Sequence, residues 1–532
     1  MKRYSTIALK HFRLLIDFIR STCGAVSRHR PQHSRARHYR AGRRDDRRLT
    51  IGFALLLLFA STFAVHSNET GQLQEHSDIL GDLKFPELEF EPVSVQTREL
   101  PSGARLLTVA DETLPYLEIT LHFPGGTNAE AVDDAGLLNA MLKMLEIGGA
   151  GERDGAAVAL ALADLGARLS FSPGYESWEV HLTVLKPDFP AAFAILSDSL
   201  LRPRLDADQL NTVKNQMLVA IDQRDDQPES IARIKLNEIM YPNMRAGYEV
   251  RPEDVARLNM ENIRAELRRR LYADNMYISV SGDFQGLQLE EKLNALLSAF
   301  PAQQAPATED DSYAALRARA DTDLLRRIVL IEYPRATQAV IAIGGHLPAH
   351  NHSDFFALQT GNYILGGGSF NSRLMRQIRV DAGLAYYAYS YNDFDARSGR
   401  YVASTGTRVA KTGDALRMML AIMDGMHSTI QPEDVQLAQD SILNGFVFQF
   451  QSPAQIVDSE VRFRMHAMPE NYLRIFPDRI RAQSAADVQR VYRNYVHAGN
   501  RYIVIVGPAE LKAQLEQIRP VLSVRPDEAI RP

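Results

Sequence analysis

The sequence predicts an α+β protein made of two homologous halves, each a mixed antiparallel sheet packed against helices, preceded by an N-terminal signal or anchor segment. The main observation is an internal repeat. Residues 260–300 and 485–518 share one plan, in which an amphipathic helix leads through an asparagine into an apolar strand ending at a glycine. The spacing from Asn275 to Gly282 equals that from Asn500 to Gly507. A repeat of this size indicates duplication of a structural unit.

The two halves also begin alike. The segments LEITLHFPGG, after Tyr116, and AVIAIGGHLP, after Gln338, both have the pattern of a strand that runs into a glycine turn before a long helix. We therefore place the halves at residues 85–300 and 325–525. Residues 301–324 are rich in Pro, Ala, Gln and charge and have little apolar periodicity, which is typical of a surface linker.

The N-terminal 67 residues have the pattern of a leader. Residues 1–50 are strongly basic, and residues 51–65, IGFALLLLFASTFAV, are apolar but shorter than the roughly 20 residues that span a bilayer. This pattern favours export, with the body periplasmic or anchored to a membrane and facing the periplasm. An uncleaved anchor is the alternative to a cleaved signal peptide. Residues 68–84 are a polar lead-in.

Composition limits the chemistry of the body. The chain has 532 residues and a net charge of −5, and because the leader is basic, the body is clearly acidic. This charge argues against nucleic-acid binding. The single cysteine, Cys23, lies in the leader. The body therefore has no thiol for a disulfide, a nucleophile or a metal site, and His, Asp and Glu are its only candidate metal ligands.

The most specific motif lies in the second half. Residues 362–391 read NYILGGGSFNSRLMRQIRVDAGLAYYAYSY. The glycine-rich loop, the following Ser-Arg-Leu, the Ile-Arg helix end and the Gly-Leu-Ala-Tyr segment resemble the C-terminal half of the pitrilysin/insulinase-type zinc metallopeptidases. The resemblance covers roughly residues 90–520, and it implies the fold of that family.

In that family an arginine and a tyrosine seven positions later bind the substrate, and the matching residues are Arg379 and Tyr386. Guanidinium and phenol groups are donors that can hold a peptide carbonyl and the negative charge that grows on it during hydrolysis. A structural role, at a helix end and in a strand, is the alternative. Arg373, Arg376 and Tyr387 are the competing candidates if the register shifts.

The family's metal site is expected in the first half, on a helix with the motif His-x-x-Glu-His. The corresponding segment here is AGLLNAMLKMLEIGG, which places Asn139 and Lys143 at the histidine positions and Leu142 at the catalytic glutamate. These residues cannot hold zinc or move a proton. The third ligand would fall near 219–220, where there is no carboxylate, although Asp222 is close.

Two other features are candidates for function. His346, His350 and His352 cluster in sequence, but Pro348 breaks the helix that a paired zinc motif needs, so we expect a polar surface loop there. The triple glycine 366–368 lacks the Lys-Ser/Thr of a phosphate loop. It fits either a flexible segment or a place where backbone packs closely.

The resemblance implies a non-catalytic, substrate-binding partner subunit of a heteromeric zinc metalloendopeptidase that acts on unfolded, extended peptides. This chain would carry no catalytic residue, metal or cofactor of its own, and zinc would reside on a homologous partner subunit. A structural or scaffold protein with Arg379 and Tyr386 as relics is the second hypothesis. An active peptidase with unorthodox ligands is the third.

Overall fold

The computed structural model describes residues 93–530. The predicted basic leader, the apolar segment 51–65, Cys23 and the lead-in 68–84 lie outside the described residues. Between residues 93 and 530, no helix combines the length and the apolar character needed to cross a membrane.

The first half contains six strands and eight helices among the described residues. These elements are β1 (Gln96–Glu99), β2 (Arg105–Ala110), β3 (Tyr116–Pro124), α1 (Leu137–Ile147), α2 (Gly155–Asp164), β4 (Arg168–Pro173), β5 (Ser177–Leu185), α3 (Phe189–Leu201), α4 (Ala207–Asp225), α5 (Pro228–Met240), α6 (Pro252–Arg257), α7 (Met260–Arg270), β6 (Tyr277–Gly282) and α8 (Leu289–Ser298).

The second half follows a short connecting helix, α9 (Tyr313–Ala318), which lies within the predicted linker and buries Leu316. Its elements are β7 (Ile328–Glu332), β8 (Gln338–Leu347), α10 (Phe355–Asn362), β9 (Ala385–Phe394), β10 (Gly399–Arg408), α11 (Thr412–Gly425), α12 (Pro432–Val447), α13 (Pro453–Met465), α14 (Tyr472–Arg481), α15 (Ala485–Tyr495), β11 (Tyr502–Gly507), α16 (Leu511–Leu515) and β12 (Val521–Val524).

Each half forms one six-stranded sheet, and the two sheets have equivalent topologies. The strand orders are β1-β2-β6-β3-β5-β4 and β12-β7-β11-β8-β10-β9. The repeated strands β6 and β11 hold the same place, because each runs parallel to one neighbour, β2 or β7, and antiparallel to the other, β3 or β8. The predicted two sheet-plus-helix halves are therefore confirmed.

The helix that precedes each repeated strand begins at a side-chain cap. Before α15, Ser484 accepts a hydrogen bond from the Asp487 N–H, and the Asp487 carboxylate accepts one from the Ser484 N–H. Before α7, Asn259 and Asn262 form the same reciprocal pair. Such caps satisfy amide groups that have no partner inside the helix.

The two halves exchange one helix each. Helix α5 belongs to the first half by sequence, but Leu236 and Met240 pack on the second sheet, against Ala342 and Val504. Helix α5 can lie this close to the second sheet because residue 344 is a glycine. A Cβ at that position would lie only 2.9 Å from the Leu236 side chain.

The reciprocal helix is α13. Although it follows β10 in sequence, Val457 and Val461 pack on the first sheet, against Leu107, Val109 and Tyr277. Each sheet is thus covered on one face by a helix from the other half, and the halves share one packed unit.

Candidate functional site

Helix α1 carries the three positions at which a zinc motif would lie. Leu142 is only 1% exposed and packs in the core of the first half, whereas Asn139 and Lys143, one turn apart, are half-buried. A leucine offers no lone pair, an ammonium repels a cation, and a single amide is a weak ligand. The donor set of α1 therefore does not fit a zinc ion.

The position expected for the third ligand does not supply one either. Val219 on α4 is 55% exposed, and Asp222 is also exposed. Across residues 93–530, no group of three or more His, Cys, Asp or Glu side chains is arranged to hold a metal.

The start of α1 is fixed by a buried carboxylate that sequence reasoning did not single out. Glu130 is 2% exposed, accepts the Leu138 N–H at 2.8 Å and forms an ion pair with Arg245 at 2.9 Å. Burial raises the pKa of Glu130, and Arg245 opposes that shift. The helix frame is retained although its metal-binding residues are absent.

Arg379 and Tyr386 meet at the edge of the second sheet. Arg379 lies on a π-helical turn, Met375–Asp381, and Tyr386 lies at the start of the edge strand β9. The Arg379 guanidinium carbon is 4.8 Å from the centroid of the Tyr386 ring and 5.1 Å from that of Phe370. The tyrosine is 78% exposed and Phe370 is 60% exposed.

The guanidinium therefore lies between two exposed aromatic rings. Within the described part of the chain it contacts these rings and, at 4.0 Å, the Met375 sulfur, but no carboxylate. Cation–π contacts orient the group without neutralising it. Phe370 was not predicted as a site residue, although the sequence places it two residues after the triple glycine.

The competing residues have other partners or positions. Arg373 forms an ion pair with Asp434 at 2.7 Å, and the Tyr387 hydroxyl points to Glu229 at 3.4 Å. Arg376 is exposed. Of the candidates in this segment, the structure brings Arg379 and Tyr386 together.

The glycine loop supports this arrangement by close packing. A Cβ on Gly366 would lie 2.2 Å from the Ser390 nitrogen of β9, so the loop backbone rests directly on the edge strand. Ser369 then adopts φ 51°, a left-handed conformation that costs energy outside glycine. Of the two interpretations of the triple glycine, close packing applies at Gly366.

The expectation of a polar surface loop is wrong for His346 and His350, which are buried, whereas His352 is exposed in a turn. His346 lies fully buried in β8, and burial lowers its pKa to about 4. His350 is 9% exposed, and its Nδ1 atom lies 2.8 Å from Nδ1 of His466, the residue that follows α13. Burial, together with His466, lowers the pKa of His350 to about 3.

A second polar network, missed in the sequence, joins the halves. His122 on β3 lies 3.0 Å from both Glu179 and Ser279, and 3.6 Å from Asp458 on α13. Burial alone would favour the neutral ring, but the two carboxylates raise the pKa of His122 to about 9. Glu176 and His466 form a further hydrogen bond between the halves at 2.7 Å.

Known proteins with similar sequences carry two kinds of name. The chain is 24% identical to the non-peptidase homolog YmxG of Helicobacter pylori over 306 residues, 57% of this chain and 68% of that protein. It is 23% identical to an uncharacterized zinc protease of Mycobacterium bovis over 430 residues, 79% of this chain and 94% of that protein.

The fold is similar to solved structures. The peptidase M16 inactive domain from Pseudomonas fluorescens superposes with a TM-score of 0.70 at 21% identity, covering 78% of this chain and 98% of that one. Family models match both halves: the model for insulinase (peptidase family M16) matches residues 105–253, and that for the peptidase M16 inactive domain matches residues 257–442. The chain therefore belongs to the peptidase M16 family, as a member that lacks the His-x-x-Glu-His motif.

Proposed function

We propose that this chain is a non-catalytic, substrate-binding subunit that works with a homologous, zinc-bearing peptidase subunit on unfolded peptides. One observation carries the proposal. The guanidinium of Arg379 lies against the ring of Tyr386 at the edge of the second sheet, with the tyrosine 78% exposed. Donors in this state are available to a ligand.

The chemistry of the pair suits a peptide carbonyl. Arg379 has no carboxylate partner within the described residues, so its charge is not neutralised inside the chain. A phenol and a guanidinium can both donate to the carbonyl oxygen, and their bonds strengthen as negative charge develops on it. In this proposal the chain binds and polarises the scissile group.

The remaining chemistry is assigned to the partner subunit. Asn139, Leu142 and Lys143 cannot hold zinc or serve as a general base, so in this proposal the chain supplies neither for hydrolysis. A metal-activated water would be supplied across the interface. We also propose that the body is exported, on the basis of the apolar segment 51–65.

The proposal is tested by co-purification with a zinc-motif homologue encoded in the adjacent reading frame, followed by peptide cleavage. We expect Arg379→Ala and Tyr386→Phe each to reduce the rate by about 10²–10³-fold, as removal of an oxyanion donor does. Arg376→Ala and Tyr389→Phe are matched controls, because both residues are exposed in the same two elements.

Two results would contradict the proposal. Unchanged cleavage in both variants would favour the scaffold hypothesis, in which Arg379 and Tyr386 are relics. Stoichiometric zinc bound by this chain alone, measured by metal analysis after dialysis, would contradict the inference that α1 has lost its metal site.

A further inference from the structure

A cavity of about 600 Å³ lies in the second half between α10, α12, α13, α14 and the end of β9, and neither Arg379 nor Tyr386 lines it. Eight of its twenty lining residues are Phe or Tyr. The rings that form it include Phe355, Phe394, Phe446, Phe463, Tyr472 and Phe476. Phe446 and Phe476 stack at 4.3 Å with their planes within 5°. A cavity of this size and lining suits an apolar group of a small ligand or a peptide.

The guanidinium of Arg462 lies at the rim of this cavity and has no negatively charged partner among the described residues. Arg462 is exposed, lies 5.8 Å from the Phe463 ring and forms no ion pair with any described residue. Three nearby acids have other partners, since Glu176 bonds to His466, Asp393 pairs with Arg400 and Asp458 pairs with His122. Burial raises the pKa of a fourth, Asp395, to about 8. The unneutralised charge favours an anionic group on the occupant.

The charge of Arg462 also acts inside the cavity. After burial and His466, it is the next cause of the low pKa of His350, and it opposes the rise in the pKa of Tyr472 that burial produces. Both side chains line the cavity. The charge of Arg462 therefore acts on groups that line the aromatic part of the cavity.

Two carboxamides that line the cavity are available for hydrogen bonding. Gln359 on α10 and Gln449, just after α12, line the cavity, and neither side chain is hydrogen-bonded within the described part of the chain. A carboxamide both donates and accepts, as a peptide group does. These groups suit an occupant with amides more than a plain hydrocarbon acid.

Gly445 keeps part of the cavity open. It lies in α12 and lines the cavity, and a Cβ at this position would meet no atom within 4 Å. Glycine in a helix costs about 1 kcal/mol relative to alanine. The position can therefore accept a larger side chain that fills the space without a clash in the fold.

We propose that this cavity binds the C-terminal residue of a peptide, with an aromatic or branched apolar side chain among the rings and the carboxylate on Arg462. The carboxamides of Gln359 and Gln449 would pair with its last peptide groups. The site is independent of the partner peptidase, so it can fail without affecting the function proposed for Arg379 and Tyr386.

The test is calorimetric titration of the chain alone with three probes: an N-acetylated tetrapeptide ending in phenylalanine, its C-terminal amide, and free 3-phenylpropanoate. We expect the acid peptide to bind at least about tenfold more tightly than the amide, which lacks the charged contact. Equal affinity of acid and amide would overturn the role of Arg462. Equal affinity of 3-phenylpropanoate and the acid peptide would overturn the assignment to a peptide.

Variants locate the site. Gly445→Leu should weaken binding of the acid peptide at least about tenfold while the melting temperature stays equal or rises, since leucine favours a helix. Asn444→Leu is the matched control, because this exposed neighbour lies outside the cavity. Arg462→Gln should reduce the acid peptide to the affinity of the amide. Full binding in Gly445→Leu, or equal losses in Asn444→Leu, would contradict the proposal.

Discussion

The Nε2 atom of His122, on a strand of the first half, lies 3.6 Å from a carboxylate oxygen of Asp458, on a helix of the second half. Ser279 bonds to both residues, and Glu179 contacts the other ring nitrogen of His122 at 3.0 Å. The imidazole is thus a charged bridge between the halves, since the pKa of His122 is about 9.

This bridge predicts a loss of stability at alkaline pH. The folded pKa of His122 exceeds its ordinary value near 6.5, so its contribution is full below pH 6.5 and disappears as pH rises through 9. This pKa difference corresponds to about 3 kcal/mol in the free energy of unfolding. Guanidinium unfolding between pH 6 and 10 should show this decline, and His122→Gln should flatten it. An unchanged pH profile in that variant would refute the bridge.

Removal of the partner carboxylate should have a smaller effect. Asp458→Asn should lower the free energy of unfolding at pH 7 by about 1 kcal/mol, because its side chain is 42% exposed and water screens the pair. The pKa of His122, followed by NMR titration, should fall as well. Asp478→Asn, with a side chain 84% exposed, is the control and should leave both quantities unchanged.

Phe370 is expected to position Arg379. Replacing Phe370 with leucine removes a cation–π contact of about 0.5–1 kcal/mol and should lower the cleavage rate of the complex several-fold. Phe370→Tyr should restore the rate, since an aromatic face is retained. Val380→Ala, at a neighbouring position that is 59% exposed, serves as the control. Equal rates for Phe370→Leu and the control would contradict this role.

Restoring the His-x-x-Glu-His motif in helix α1 should destabilise the fold. Leu142→Glu would bury an unpaired carboxylate at a position 1% exposed and should cost more than about 3 kcal/mol. Asn139→His with Lys143→His should fold, because both sites are half-buried. Chemical denaturation without zinc compares the double variant, Asn139→His with Lys143→His, and the triple variant, which adds Leu142→Glu. A triple variant as stable as the wild type would contradict the prediction.

Close packing of the glycine loop can be tested separately. Gly366→Ala should destabilise the fold by about 3 kcal/mol, because its Cβ would lie 2.2 Å from the Ser390 nitrogen. Gly425→Ala on α11 should be neutral or stabilising, since its nearest contact is 3.4 Å away. Thermal unfolding measures both, and equal melting temperatures would show that the loop moves away freely.

The family resemblance led to Arg379 and Tyr386, which the structure places in contact, and local pattern was sufficient to predict the repeat. It could not separate the roles of the two repeated asparagines. Asn275 adopts φ 59° in a turn, whereas Asn500 is fully buried and bonds to His346 and Tyr495. Asparagine therefore forms a turn in the first half and a buried hydrogen-bond network in the second, at the same position of the repeat.

Partners that are distant in sequence explain most of what was missed. An amphipathic pattern in α5 or α13 shows that one face is apolar, but it does not specify which sheet that face covers. His350 looked polar and exposed because its partner, His466, lies more than a hundred residues later. Such pairings are set by tertiary packing, which a linear pattern does not record.

The helix exchange has a consequence for synthesis of the chain. The first sheet is complete at residue 282, but the helix that covers its second face, α13, ends at residue 465. Much of the chain must therefore leave the ribosome before that apolar surface is shielded from water. During this interval the nascent protein exposes Leu107, Val109 and Tyr277 to water and to chaperones.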